Sequence, residues 1–361
     1  MRLIHQLATV VAMLFAFAPG AAVAGARARP PTIVITGDIL LAGRVERLIE
    51  QKGAAAPFAQ VQDILRSADL AIGNLECPLA TTGTPADKEF VFRAHPDTAA
   101  ALVEAGFDLV TLANNHSADY GPGALAQTLE TLRGAGLLAV GAGEDIARAR
   151  QCIVVERGSP PVRIAVLGFS NMLPADFYAT EHQAGTNPAR LDSVTRDVAE
   201  ARRKADVVIA IFHWGDELSD SPSHNQRALA AAAADAGADL VVGHHPHVLQ
   251  GFEMRGRTLI AYSLGNFLFP SRNAARETVI LRYQPRRNGQ ARVEIIPCVI
   301  EGFQPRPAPE DKRTACLHRL SDLSDALGAR LPAHPAGGPD EGGTILLPAR
   351  PRSVDKPSRA P

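Results

Sequence analysis

Residues 237–251, GADLVVGHHPHVLQG, set the reading of the whole chain. The Leu-Val-Val run is apolar at every position, as expected of a strand buried on both faces of a sheet. An Ala-Gly pair before Asp239 supplies the usual helix stop. Within two residues the chain then passes from core into His244, His245 and His247. The sequence holds 11 histidines in all. Three within four positions concentrate the side chain that combines metal ligation with proton transfer near neutral pH.

Working outward, the same pattern recurs. Asp69, Asp108, Asp206 and Asp239 each open an apolar strand with a polar far end: DLAIGNLE, DLVTLANNH, DVVIAIFHWGDE and DLVVGHHPH. TIVITGD joins them, ending on Asp38, and LLAVGAG and VRIAVLGFS add two more strands. Stretches with helical periodicity precede most of them, among them DTAAALVEAG, SVTRDVAEARRKA and NQRALAAAAADAG. Strands alternating with helices of this length predict an α/β layered fold. The carboxyl ends of such strands line one edge, which is where ligands bind. Those ends supply Asp38, Asn74, Glu76, Asn114, Asn115, His116, Asp119, His213, Glu217, His244, His245, His247 and Asn266. Carboxylates, imidazoles and amides brought together form a ligand mixture for one or two divalent transition metals. Isolated histidines such as His95, His182, His224 and His318 read as ordinary polar caps.

The chain has 361 residues, 46% hydrophobic and 21% charged, with 37 Lys and Arg against 38 Asp and Glu. So balanced a surface offers no like-charge field for nucleic acid. The N-terminal MRLIHQLATVVAMLFAFAPGAAVAGARA has a basic start, an apolar stretch too short for a comfortable span, and a small-residue site near Ala24. It reads as an export signal over 1–24, placing the folded part in the periplasm or outside the cell. An uncleaved signal is the one route to membrane association. Cys77, Cys152, Cys298 and Cys316 fit neither a zinc knuckle nor a dithiol motif. One bridge, Cys152 with Cys298 for instance, and buried free thiols are both compatible with their spacing. After the histidine cluster, GRTLIAYSLGNFLF, ETVILRYQP and ARVEIIPCVI read as strands of a second layer, with RRNGQ as a hairpin turn. Residues 303–361 read as a Pro/Arg-rich extension with one helix near 317–327 and disorder from about 332, where apolar residues become too few to offset ordering entropy.

The series GDILLAGR, ADLAIGNLECPL, FRAHP, LANNHSADYGPGAL, GAGED, IFHWGDE, SHNQRALAAAAADAGADLVVGHHPHVLQGFE and AYSLGNFLF resembles, in order and spacing over residues 32–302, the CapA family of poly-γ-glutamate capsule synthesis proteins. That family is related to calcineurin-like metallophosphoesterases. The resemblance implies a four-layer α/β/β/α sandwich, two mixed sheets flanked by helices, over residues 30–302. It also implies metal ligands at Asp38, Glu76 (or Asn74), Asn115, His213, His245 and His247, with His116 as general acid. Asn114, Asp119, Glu217, His244 and Asn266, with Asn74, remain as supporting or substrate-facing groups. Phosphoesterases begin with Asp-x-His, whereas this chain reads Asp38-Ile39-Leu40, so one or two ions of manganese, zinc or iron fit the pattern.

The function implied is metal-dependent assembly or export of an anionic surface polymer such as poly-γ-glutamate, with hydrolase or transferase chemistry at a phosphoester or acyl bond. Two alternatives stand beside it. One is a non-catalytic metal-bearing subunit that binds the polymer or its synthase; the other is a stand-alone periplasmic metallophosphoesterase acting on a phosphoester substrate.

Overall fold

The computed structural model describes residues 29–270, 276–286, 289–328 and 343–349; the expected export signal lies outside the described residues. The first run of elements is β1 (Ile33–Ile39), α1 (Arg44–Lys52), α2 (Gln62–Arg66), β2 (Leu70–Leu75), α3 (Ala99–Ala105), β3 (Leu109–Thr111), α4 (Pro122–Gly134) and β4 (Leu138–Val140). There follow β5 (Ala142–Gly143), α5 (Ile146–Ala149), β6 (Ile153–Arg157), β7 (Val162–Ser170), β8 (Gly185–Thr186), α6 (Leu191–Lys204), β9 (Val207–His213), α7 (His224–Ala236) and β10 (Leu240–His244). The chain continues with β11 (Phe252–Arg255), β12 (Thr258–Ala261), β13 (Asn266–Leu268), β14 (Glu277–Pro285), β15 (Ala291–Glu301), β16 (Gln304–Pro307), α8 (Glu310–Asp325) and β17 (Thr344–Leu347). Among the described residues no helix is long and apolar enough to cross a membrane.

Two mixed sheets form. One runs β16-β15-β14-β1-β2-β3-β4, with β13 also on β1 and β17 on β15; the other runs β11-β12-β10-β9-β7-β6. Successive side chains of a strand point to opposite faces, and here both faces are buried. Ile33 and Ile35 of β1 meet Val207, Ile209 and Ile211 of β9 in a core between the sheets. Their alternates split: Val34 packs with Val45 of α1 and Leu102 of α3, and Val208 and Ala210 with Val198 of α6 and Leu229 of α7. The result is the four-layer α/β/β/α sandwich.

The four strand-opening aspartates have a shared role at the pole where the parallel strands begin. Each accepts a backbone N–H from the neighbouring strand: Asp69 from Thr32 (2.7 Å), Asp108 from Ala71 (2.8 Å), Asp206 from Arg163 (3.0 Å) and Asp239 from Val208 (2.8 Å). Each also donates its own N–H to that same residue's carbonyl, at 2.8, 3.0, 2.9 and 2.8 Å in that order. Arginines neutralise all four, and the buried Asp239 takes both Arg202 and Arg257 at 2.6 Å.

Several expectations need correction. The strand ends do not share one sheet: those of β1, β2 and β3 come from the first and those of β9 and β10 from the second. Nor do the later strands form a separate layer. β14 pairs antiparallel with β1, so β14 and β15 widen the first sheet, while β12 joins β10 in the second. The reason is that β14 is a central strand, with Val279 and Leu281 facing the inter-sheet core and Ile280 the helices. Strands β14 and β15 pair antiparallel and Arg286 N–H bonds Gln290 O at 2.7 Å, while residues 287–288 of the expected RRNGQ turn lie outside the described residues. All four cysteines are free. Cys152 and Cys298 pack into opposite outer layers of the sandwich, which rules out their pairing.

The folded unit also extends past residue 302. β16 and β17 both pair with β15, and Cys316, Leu317 and Leu320 of α8 enter the inter-sheet core with Ile345 and Leu347 of β17. Within the stretch expected to be disordered, residues 344–347 are therefore a strand, because Ile345 and Leu347 alternate inward toward that core while Leu346 faces solvent. A chain ending at Gly302 is expected to show no cooperative thermal transition. It forfeits five buried apolar side chains at about 1.5–3 kcal/mol each, comparable to the whole stability of a domain. A sharp melt of the truncated protein would contradict this.

Candidate metal centre

Helix α7 delivers the histidine strand. A capping box of Ser223 and Gln226 starts it, and Gly237 stops it in the left-handed region at φ +110°. Beyond β10 the backbone turns sharply, with His245 at φ +95° and His247 at φ +58° on either side of Pro246. Positive φ in such residues is a strained conformation that persists where surrounding structure enforces it, commonly at functional sites.

This turn faces the ends of β1 and β2 across the seam between the sheets. Asp38 Oδ2 lies 3.3 Å from His247 Nδ1 and accepts the His245 backbone N–H at 3.3 Å. His247 Nδ1 also meets Asn266 Oδ1 at 2.9 Å. With two acceptors at Nδ1, the proton sits there and Nε2 is left as the ligand atom. His213 lies at the middle. Its Nε2 is 2.8 Å from Asn115 Oδ1 and 3.2 Å from His245 Nδ1; its Nδ1 is 3.5 Å from Glu76 Oε1. Asn74 donates through Nδ2 to both Asp38 Oδ1 and Glu76 Oε1 at 2.9 Å. Potential ligand atoms of Asp38, Glu76 and His213 lie within 4.8 Å of one another, as do those of Glu217, His245 and His247.

The electrostatics favour a cation. Burial raises the Glu76 carboxyl well above its ordinary range and the charge of Asp38 adds to this; Glu76 Oε2 is buried without a hydrogen-bond partner. Burial alone would raise Asp38 too, but the hydrogen bond and charge of His247 outweigh it and hold the carboxylate ionised. Burial, then His245, keeps His213 neutral; burial, then His247, pushes His245 down to about 3. The neutral imidazoles of His213 and His245, with His247 whose pKa Asp38 raises against burial, stand beside buried carboxylates, one with an orphaned oxygen, and form the donor set of a divalent metal. The residues fit such an ion.

With this geometry in view, comparison with known proteins is decisive. The family model described as "Bacterial capsule synthesis protein PGA_cap" matches residues 32–271. The chain belongs to this family. It is similar to the "PGA biosynthesis protein CapA" of Bacillus subtilis (strain 168), 36% identical over 294 residues, covering 80% of this chain and 77% of that one. It is also similar to the "Capsule biosynthesis protein CapA" of Bacillus anthracis, 35% identical over 304 residues, covering 81% and 74%. Among solved structures, a 5′-nucleotidase of Candida albicans aligns at a TM-score of 0.40 and 11% identity over 71% of this chain and 48% of that one.

In this PGA_cap chain the remaining sequence-derived residues fall into place around the centre. His116 is buried, with Nδ1 at 2.9 Å from Asp119 Oδ2, and burial lowers its pKa against the pull of Asp119. Asn114 holds the loop: it donates to Asn74 Oδ1 and to Leu75 O, and accepts the His116 N–H. His244 is turned away, its Nε2 meeting Thr36 O across the seam at 2.9 Å. Glu217, expected as a supporting group, instead joins His245 and His247 as a possible ligand. His95 is a polar cap as expected, its Nδ1 accepting the Asp97 N–H.

Lys88 was not foreseen. Its Nζ lies 2.6 Å from Asp119 Oδ1, donates to Asn115 O at 2.6 Å, and stands 3.2 Å from His116 Nδ1. One ammonium thus neutralises the carboxylate behind His116 and pins the Asn115–His116 turn. Phe92 comes from the same loop. Its N–H is bound by Asp119 Oδ2 at 2.7 Å, and its ring centre is 4.6 Å from that of His116.

Proposed function

We propose that this protein is an exported, metal-dependent component of poly-γ-glutamate capsule synthesis that acts on a phosphoester or acyl bond of the polymer or its precursor. The observation that supports the reading best is the orphaned Glu76 oxygen beside Asp38 and His213, in a chain of the capsule-synthesis family. Asp38, Glu76 and His213 would hold one cation, with Asn115 completing that group; His245, His247 and Glu217 would hold a second if two are bound. Such an ion supplies Lewis acidity and a nucleophile at neutral pH.

The chain's own residues do the rest. Asn74 and Asn266 orient the carboxylate and imidazole they bond, as outer partners of metal ligands do. Asp119 and Lys88 fix the His116 ring at Nδ1, which leaves Nε2 to pass a proton to the leaving group. His116→Ala is expected to keep bound metal, because His116 belongs to neither ligand group, and to lose about 10²–10⁴-fold in turnover. Elemental analysis beside hydrolysis of p-nitrophenyl phosphate and γ-glutamyl p-nitroanilide checks both parts. Full turnover in the variant removes His116 from the acid role. Bound metal without turnover on either substrate in the parent protein favours the binding-subunit alternative.

A further inference from the structure

Above the centre opens a cleft of about 340 Å³ with a polar floor that includes His116, His247 and Asn266, a volume within the range of small-molecule sites. Its walls are another matter: Leu40, Phe90, Phe92, Leu218, Phe269 and Pro270. Two of the aromatic rings lie directly on the chemistry, Phe92 at 4.6 Å from His116 and Phe269 at 4.8 Å from His247, centre to centre. They also pack edge-on against one another at 6.4 Å. The lip is apolar too, and unshielded. Phe90 is 56% and Leu218 60% exposed, among the few large hydrophobic side chains the described residues leave to solvent.

Leu218 is not there by looseness. Its backbone sits at φ +61°, unfavourable for leucine, and its N–H is fixed on Pro246 O at 2.8 Å, between the two histidines of the turn. Backbone strain held in place at the mouth of a site is the kind that function retains. Charge points the same way. The described lining holds no lysine or arginine, and the Lys88 ammonium beside His116 is engaged with Asp119. A run of carboxylates would meet six apolar groups and no lysine or arginine on the described walls, whereas hydrocarbon would bury both itself and the walls.

We infer that the ligand of this site is an amphiphile: a polar, metal-binding head on the imidazole–carboxylate floor, with a hydrocarbon chain against Phe92, Phe269, Phe90 and Leu218. This rests on the metal reading above and narrows its substrate class. The occupant at the reacting bond is a hydrocarbon-bearing acyl or phosphate group, and the polyanionic chain stays outside the cleft.

The test is calorimetric titration of the full manganese-loaded chain with acetohydroxamate and with octanohydroxamate. These share a metal-binding head and differ by six methylenes. At about two- to fourfold per methylene, the longer probe binds at least about 50-fold tighter. Leu218→Asp and Phe90→Asp remove most of that increment and leave acetohydroxamate affinity unchanged. Both positions are exposed, and aspartate tolerates positive φ better than leucine; melting temperatures equal to the parent's establish that both variants fold. Equal affinity for the two probes overturns the inference, as do lip variants that keep the full increment. Displacement of octanohydroxamate by tri-γ-glutamate at lower concentration than by octanoate also overturns it. If elemental analysis finds no manganese and neither probe binds, the metal reading falls and this inference with it. Bound manganese with acetohydroxamate affinity but no chain-length effect sinks this inference alone.

Discussion

His213→Ala is expected to reduce the affinity for manganese or zinc on the order of a thousandfold, since even outer partners of metal ligands typically cost 10- to 100-fold. His213 stands between the two groups of possible ligands, touching Asn115 and His245 through one nitrogen and facing Glu76 with the other. Asp38 is the other side chain that joins both groups, through His247 and the His245 N–H. Removal of His213 leaves the first group with two carboxylates and the Asn115 amide and takes away its one imidazole donor, an oxygen-only set that suits a transition metal poorly. Competition with a fluorescent chelator measures the change, and circular dichroism confirms that the variant is folded. A folded variant with unchanged metal affinity would exclude His213 as a ligand.

Gly243→Ala is expected to destabilise the protein by roughly 4 kcal/mol, combining overpacking with a lost buried hydrogen bond. A Cβ on Gly243 would stand 1.9 Å from Tyr262 O and 2.4 Å from Trp214 Nε1. Those two atoms are themselves hydrogen-bonded at 2.9 Å. Neither can retreat easily. Tyr262 O belongs to the backbone just after β12, and the Trp214 ring is stacked on Phe212 with centres 4.3 Å apart. The methyl must pry β10 from its neighbour or break the Trp214–Tyr262 bond, and His244 to His247 follow directly. Metal affinity should therefore fall together with stability. Thermal melts of wild type and variant decide the matter; at about 2–4 °C per kcal/mol, a shift under 3 °C would mean that the strand has room the structure does not show.

The chemistry of this protein was more legible in its sequence than the path of its strands. Apolar runs with abrupt polar ends carry their own signal and offered thirteen candidates, from which the family resemblance drew Asp38, Glu76, Asn115, His213, His245 and His247; these lie in two adjoining groups, with Asn115 at His213. What could not be read was the division of those ends between two sheets, because a strand buried on both faces looks alike in either. Edge strands were hidden for another reason: β6 alternates between partly buried and exposed positions, and its apolar run is only Ile153-Val154-Val155. Lys88 sits in a Pro- and Gly-containing loop without periodicity, where a lysine reads as solvated. The sole hint was that Asp119, beside a histidine, needs a counter-charge once buried. Family resemblance to the capsule proteins filled in roles that spacing alone left open, and the exported location remains part of the proposal above.

The reciprocal bonds made by Asp69, Asp108, Asp206 and Asp239 divide the labour of the molecule between its two ends. Rigidity is generated where the strands begin, at the pole opposite the histidine turn, by backbone pairs whose aspartates each have an arginine counter-charge. Distant positions contribute to stability almost additively, so the effects of substitutions at the two ends are expected to sum.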